Sequence, residues 1–189
     1  MQLVEQKLIY QGWGRFLLLK VRLSNGAVVS RQMEDHGCAA AVLPYDAARR
    51  LALVCRMPRP GPMFNGEDPA TMEACAGIID SGETAEVSAR REALEELGVR
   101  LTTLEFVART YSAPGACSEA ISLFLAPYAA ADRIEAGGGL AEEDEQIEVL
   151  ELPLAELARH ADTGEVRDLK TLAMILALRA RRPELFAPG

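Results

Sequence analysis

Residues 77–99 read GIIDSGETAEVSARREALEELGV. Glu92 and Glu96 stand four positions apart and Glu95 three from Glu92, so a helix here brings the three carboxylates together on one side. Ala85, Ala89, Ala93 and Leu97 recur every four residues on another face and give that helix something to bury. Thr84 suits the N-cap and Gly98 the stop. Taken alone, a Glu-rich helical stripe is most often a solvated surface. The weight of this one comes from the whole run: Gly77 leads it, Glu83 follows six positions on, and Arg91, Glu92, Ala93, Glu95, Glu96, Gly98 and Val99 close it at fixed spacings.

The rest of the chain bounds what that helix belongs to. With 189 residues, 49% of them hydrophobic, the chain is long enough to bury a core and is expected to form a globular domain with a small N-terminal appendage. No apolar run approaches the ~20 residues needed to span a bilayer, and MQLVEQKLIYQGWG lacks the basic and apolar regions of a signal peptide. A cytoplasmic protein with no membrane partner is expected. Cys38, Cys55, Cys75 and Cys117 are scattered without a CxxC pair and read as small buried hydrophobes rather than a zinc site or a disulfide framework. A net charge of −8 argues against nucleic acid as a partner. A small anionic substrate would need local arginines and metal ions to hold it.

Periodicity predicts the elements around the helix. Leu19, Val21 and Leu23 alternate with Lys20 and Arg22, Asn25-Gly26 makes a turn and Val28–Arg31 returns, so residues 15–32 form a β-hairpin. Ala39–Leu43 and Leu51–Arg56 read as buried strands flanking a polar turn from Tyr45 to Arg50. Pro58–Pro69 reads as a loop. Strands follow at Leu104–Tyr111, Ala120–Ala126 and Ile147–Leu152, then helices at Leu154–Ala161 and Asp168–Arg181, the last with an apolar stripe of Leu172, Ile175, Leu176 and Leu178. The pattern is an α/β sandwich.

Clustered carboxylates disfavour one another's ionised form unless cations intervene, and hard oxygen donors select Mg2+ or Mn2+. A divalent ion between carboxylate and phosphate polarises P–O bonds and neutralises the leaving phosphate, as diphosphate hydrolysis requires. Arg56 and Arg59, in VCRMPRPG, suit a diphosphate because guanidinium forks take phosphate oxygens in pairs. Further on, EAGGGLAEEDEQ sets Glu142, Glu143, Asp144 and Glu145 behind Gly137, Gly138 and Gly139. By itself that is a solvated acidic loop with glycines free to move it.

At every defining position residues 77–99 resemble the Nudix box, G-x5-E-x7-R-E-U-x-E-E-x-G-U with U aliphatic. The resemblance implies an αβα sandwich with a mixed sheet, and Mg2+-dependent hydrolysis with Mn2+ possible. It implies Glu92 and Glu96 as direct metal ligands with Glu95 in support, the carbonyl of Ala76 as a further ligand, and a bracing Glu83–Arg91 ion pair. The branch of the family that cleaves nucleoside diphosphate sugars carries a second acidic loop, which maps the general base to Glu143 and another metal ligand to Glu145. It also carries R-Q-[FY]-R where this chain has R-M-P-R from Arg56 to Arg59, keeping both substrate-binding arginines and replacing the pair between them. MEACAG before the box, YSAPGACSE and the tail GEVRDLKT point to GDP-mannose as substrate, with ADP-ribose second; in the tail, Arg167, Asp168 and Lys170 are candidates to face the substrate or a partner. Trp13, Tyr10, Phe16 and Tyr111 are the candidates to stack on a base. The implied organisation is a β-element over residues 1–35 that dimerises the chain and a Nudix catalytic domain over 36–189. An inactive Nudix fold serving as a nucleotide sensor or protein-binding module is the alternative of another class, and the survival of every box carboxylate counts against it.

Overall fold

The computed structural model describes residues 1–139 and 146–187. The chain divides into two compact units, residues 1–39 with 109–121, and residues 40–108 with 122–189.

The first unit is built on a three-stranded antiparallel meander, β1 (Gln2–Gln11), β2 (Arg15–Arg22) and β3 (Val28–Asp35). The hairpin expected over 15–32 is β2 and β3, turned at Asn25-Gly26, where the Asn25 side chain accepts from Ala27 N at 3.1 Å and Gly26 takes φ +84°. β1 is an addition to that reading. Its residues do not alternate cleanly, and all ten are exposed, so it lacks the one-sided apolar pattern that marks a half-buried strand.

The second unit holds most of a mixed seven-stranded sheet. Its strands are β4 (Ala39–Asp46), β5 (Leu51–Pro58), β6 (Ala70–Glu73), β7 (Cys75–Ile78), β8 (Glu105–Tyr111), β9 (Ala120–Pro127) and β10 (Glu148–Pro153), in the order β10-β5-β4-β9-β8 with β6 on β5 and β7 on β4. β4 is buried along its whole length, as a central strand covered on both faces must be. It runs through Tyr45 and Asp46 rather than turning at Tyr45, because Tyr45 and Asp46 pair with Ala52 and Leu51. The turn begins at Asp46, whose carboxylate accepts from Ala48 N and Arg49 N at 2.9 Å each. Past those pairs β5 turns to β6, with Cys55 opposite Glu73, and β7 takes the place beside β4.

The helices are α1 (Pro60–Phe64), α2 (Ala85–Leu97), α3 (Leu154–Asp162) and α4 (Leu169–Arg181). α1 is a single turn within the Pro- and Gly-rich stretch read as loop. α2 is the carboxylate helix. Thr84 caps it by accepting from Val87 N, and Gly98 ends it at φ +67°. Ala89, Ala93 and Leu97 are fully buried in one cluster with Ala40, Val42, Leu53, Cys55, Cys75 and Phe124. Small side chains at Ala89 and Ala93 let the helix backbone come close to the sheet, and this sets the depth at which its carboxylates sit. α3 and α4 pack on each other and on β5, β6 and β10, burying Leu157, Met174, Ile175 and Leu178; Leu176 of the expected stripe is exposed. No helix among the described residues is long and apolar enough to cross a membrane.

Candidate active site

Arg91 is the hub of the carboxylate helix. Its guanidinium donates to both oxygens of Glu83 at 3.2 and 3.1 Å, to Glu92 at 2.7 Å, to Glu95 at 3.0 Å and to the carbonyl of Ile78 at 3.2 Å. The hydrogen bonds with Glu83, and then the neighbouring Glu92 and Glu95, raise the Arg91 pKa despite partial burial, and Arg91 in turn holds the Glu83 carboxyl below its ordinary range. Glu83 therefore ties the loop before the helix to the helix itself.

The three helical glutamates differ in burial and in the partners they meet. Glu92 and Glu95 turn onto Arg91, while Glu96 is 3% exposed and packs inward against Cys55, its carboxylate 4.0 Å from the Cys55 sulfur. Burial, and then the Glu96 charge, push the Cys55 and Cys75 thiols well up, which keeps both neutral. Of the four cysteines these two are the buried hydrophobes expected; Cys38 and Cys117 are partly exposed, and all four are free.

Glu92 lies against β7. A Cβ on Gly77 would fall 1.8 Å from its Oε1, so only glycine leaves room for this carboxylate beside the backbone that follows Ala76. Glu92, Glu96 and the Ala76 carbonyl are hard oxygen donors of the kind a divalent cation takes. Among the described residues no three acidic, imidazole or thiol side chains form a ready-made metal cage.

Glycines 137–139, which precede the acidic residues in sequence, lie against the end of this helix. Gly138 N donates to Glu96 O at 2.8 Å and Gly139 N to Glu95 O at 3.1 Å. All three glycines have positive φ, and a Cβ on Gly137 would lie 2.5 Å from Glu96 O. On the far side, β10 begins at Glu148, paired with Arg56 of β5. Glu143 and Glu145 lie outside the described residues.

Both arginines assigned to phosphate already have carboxylate partners. Arg56 pairs with Glu148 at 3.2 Å on the surface. Arg59 makes a fork with Glu73, Nε to Oε1 at 2.8 Å and NH2 to Oε2 at 3.0 Å. Lys170 donates to the same Glu73 and pairs with Asp168 at 3.1 Å, Thr71 donates to Glu73 at 2.5 Å, and Thr171 accepts from Ala74 N at 2.6 Å. Arg167 donates to the carbonyls of Asp68 and Ala70 at 2.8 and 2.6 Å. Glu73 is the residue the sequence did not single out. Its neighbours in MEACAG mark the approach to the box, but nothing local shows that a lysine 97 positions away reaches it. The stacking candidates Trp13, Tyr10, Phe16 and Tyr111 all belong to the first unit and are exposed.

Residues 35–174 match the family model described as the NUDIX domain. The chain belongs to the NUDIX family. It is 37% identical over 185 residues to a GDP-mannose pyrophosphatase from Cronobacter sakazakii, covering 95% of each chain. It is 38% identical over 154 residues to one from Salmonella arizonae, covering 80% of this chain and 79% of that one. Among solved structures the fold is similar to that of a protein titled ADP compounds hydrolase, with a TM-score of 0.76 at 16% identity, over 97% of this chain and 94% of that one.

Proposed function

We propose that this NUDIX protein hydrolyses the diphosphate of a nucleoside diphosphate sugar, GDP-mannose before others, giving a nucleoside monophosphate and a sugar phosphate. The observation that carries the reading is the carboxylate helix itself: Glu92 seated on the glycine of the box, Glu96 beside it, and Arg91 locking Glu83 to Glu92 and Glu95. The choice of substrate rests on relatives named GDP-mannose pyrophosphatase that align with 77–95% of this chain.

In this reading Glu92, Glu96, the Ala76 carbonyl and Glu145 hold Mg2+, or Mn2+ in its place. Bound there, the ion supplies charge neutralisation for the diphosphate and its leaving group. Arg91 keeps the ligand helix oriented, Arg56 and Arg59 receive phosphate oxygens, and Glu143 takes the proton of the attacking water. Support for the last assignment comes from the hydrogen bonds of Gly138 and Gly139, which precede the acidic residues in sequence, to Glu96 and Glu95 of the carboxylate helix. Support for a homodimer through residues 1–35 comes from β1, where Leu3, Val4, Leu8, Ile9 and Tyr10 are exposed on an edge strand.

The test is a panel of GDP-mannose, ADP-ribose, ADP-glucose and UDP-glucose with Mg2+, assayed for phosphomonoester release. Turnover greatest on GDP-mannose and abolished by EDTA is expected. No turnover on any member with Mg2+ or Mn2+ would leave the sensor or binding-module alternative standing; undiminished turnover in EDTA would refute the metal assignment.

A further inference from the structure

A second cluster of reactive side chains lies in the first unit, outside the carboxylate helix. The segment YSAPGACSE, residues 111–119, doubles back beside the end of β3: Glu34 N donates to Ala116 O at 2.8 Å and Ser118 N to Glu34 O at 2.9 Å. Ser118 Oγ adds a bond to Asp35 at 2.6 Å, and Arg15 pairs with the same carboxylate. Cys117, clasped between the two main-chain bonds, has its sulfur 3.5 Å from His36 Nε2, and Glu119 N donates to that sulfur at 3.4 Å.

The other face of the imidazole completes the arrangement. His36 Nδ1 is buried and makes no hydrogen bond, and the nearest carboxylate oxygen, on Glu119, is 3.9 Å away. Trp13 covers the ring, its centroid 4.8 Å from that of His36 at a tilt of 33°. With its proton on Nδ1, toward Glu119, the imidazole turns the Nε2 lone pair to the sulfur. It can then take the thiol proton and sit as a cation between a thiolate and a carboxylate. The thiolate keeps a main-chain N–H donor from Glu119. Cys117 is also partly exposed, unlike Cys55 and Cys75.

We propose that Cys117 is a reactive thiol, activated by His36, whose substrates are hydroperoxides and soft alkylating electrophiles. With a peroxide, the thiolate sulfur attacks the distal oxygen and an S–O bond forms as the O–O bond breaks. The sulfur is oxidised by two electrons to a sulfenic acid, the peroxide is reduced, and the proton held on His36 goes to the departing hydroxide or alkoxide, leaving water or an alcohol.

The experiment uses the full chain, native, at about pH 7. It is treated with iodoacetamide, or with hydrogen peroxide followed by dimedone, and each cysteine is followed by peptide mass spectrometry. A free thiol is only a few per cent thiolate at this pH, so Cys117 is expected to be alkylated about 10-fold faster than glutathione and to carry the dimedone adduct. His36→Gln should bring the rate down to that of glutathione, and Glu119→Gln, which keeps the side-chain shape, should lower it by a smaller factor; a melting curve checks that each variant is folded. If His36→Gln fails to fold, the parent's rate against glutathione and the Glu119→Gln rate decide the matter. A parent Cys117 no faster than glutathione, a folded His36→Gln protein that reacts at the parent rate, or labelling that falls on Cys38 beside Arg109 while Cys117 stays unlabelled would each overturn the proposal.

Discussion

Replacing Glu73 with Gln removes the carboxylate that Arg59 and Lys170 share while keeping the side chain's volume. Glu73 is 4% exposed, and burial alone would push its carboxyl up. The Arg59 fork and the Lys170 charge outweigh that and hold it at about 2, against an ordinary 4.5. At about 1.4 kcal/mol per pH unit this depression amounts to roughly 3 kcal/mol, in line with the ~3–5 kcal/mol lost when one partner of a buried ion pair is removed. For a chain of this length each kcal/mol moves the melting temperature by roughly 2–4 °C, so Glu73→Gln should melt roughly 6–12 °C below the parent at neutral pH. The sign of the pH dependence follows from the depressed folded value: the stabilisation is fully present above the unfolded value near 4.5 and is lost as pH falls toward about 2. Paired thermal or urea melts of parent and variant should therefore show a constant gap above about pH 5 that closes as pH falls toward about 2. A gap under about 2 °C at neutral pH, or one that widens on acidification, would refute the account of Glu73 as the shared counter-charge of Arg59 and Lys170.

Other expectations follow from the helix and its surroundings. Gly77→Ala places a Cβ where the Glu92 carboxylate lies; Gly77 has no positive φ to strain, so the carboxylate must move, and turnover should fall by roughly 10²-fold with the melting temperature nearly unchanged. Parent-level turnover in that variant would mean that the seat of Glu92 on β7 does not matter to the reaction. Glu143→Gln should cost roughly 10²- to 10⁴-fold in turnover with little change in substrate binding, whereas Glu145→Gln should raise the Mg2+ concentration at half-maximal rate; if Glu143→Gln turns over normally, the register of the acidic loop is wrong. Deleting residues 1–32 should convert a dimer to monomer or insoluble protein and lower activity, and light scattering that finds the intact chain monomeric at micromolar concentration would sink the dimer.

What the sequence determined by itself is what depends on neighbours a few positions apart. The span of α2 follows from Thr84, from the four-residue recurrence of Ala85, Ala89, Ala93 and Leu97, and from Gly98, since cap, face and stop are all local. The Asn25-Gly26 turn is legible for the same reason. The box spacing likewise marked the candidate carboxylates. Only the tertiary structure decided which groups those side chains meet. β1, β6 and β7 are short of one-sided pattern, and their pairing comes from the strands beside them. Glu96 turned out to be buried against Cys55, a residue 41 positions away. Arg59, read as a phosphate arginine, meets Glu73 across the β5–β6 turn, and Lys170 reaches the same carboxylate from the start of α4. Hydrogen bonds and ion pairs of that range are fixed by how the sheet and helices pack, and periodicity along one segment carries no record of the partner that packing brings to it.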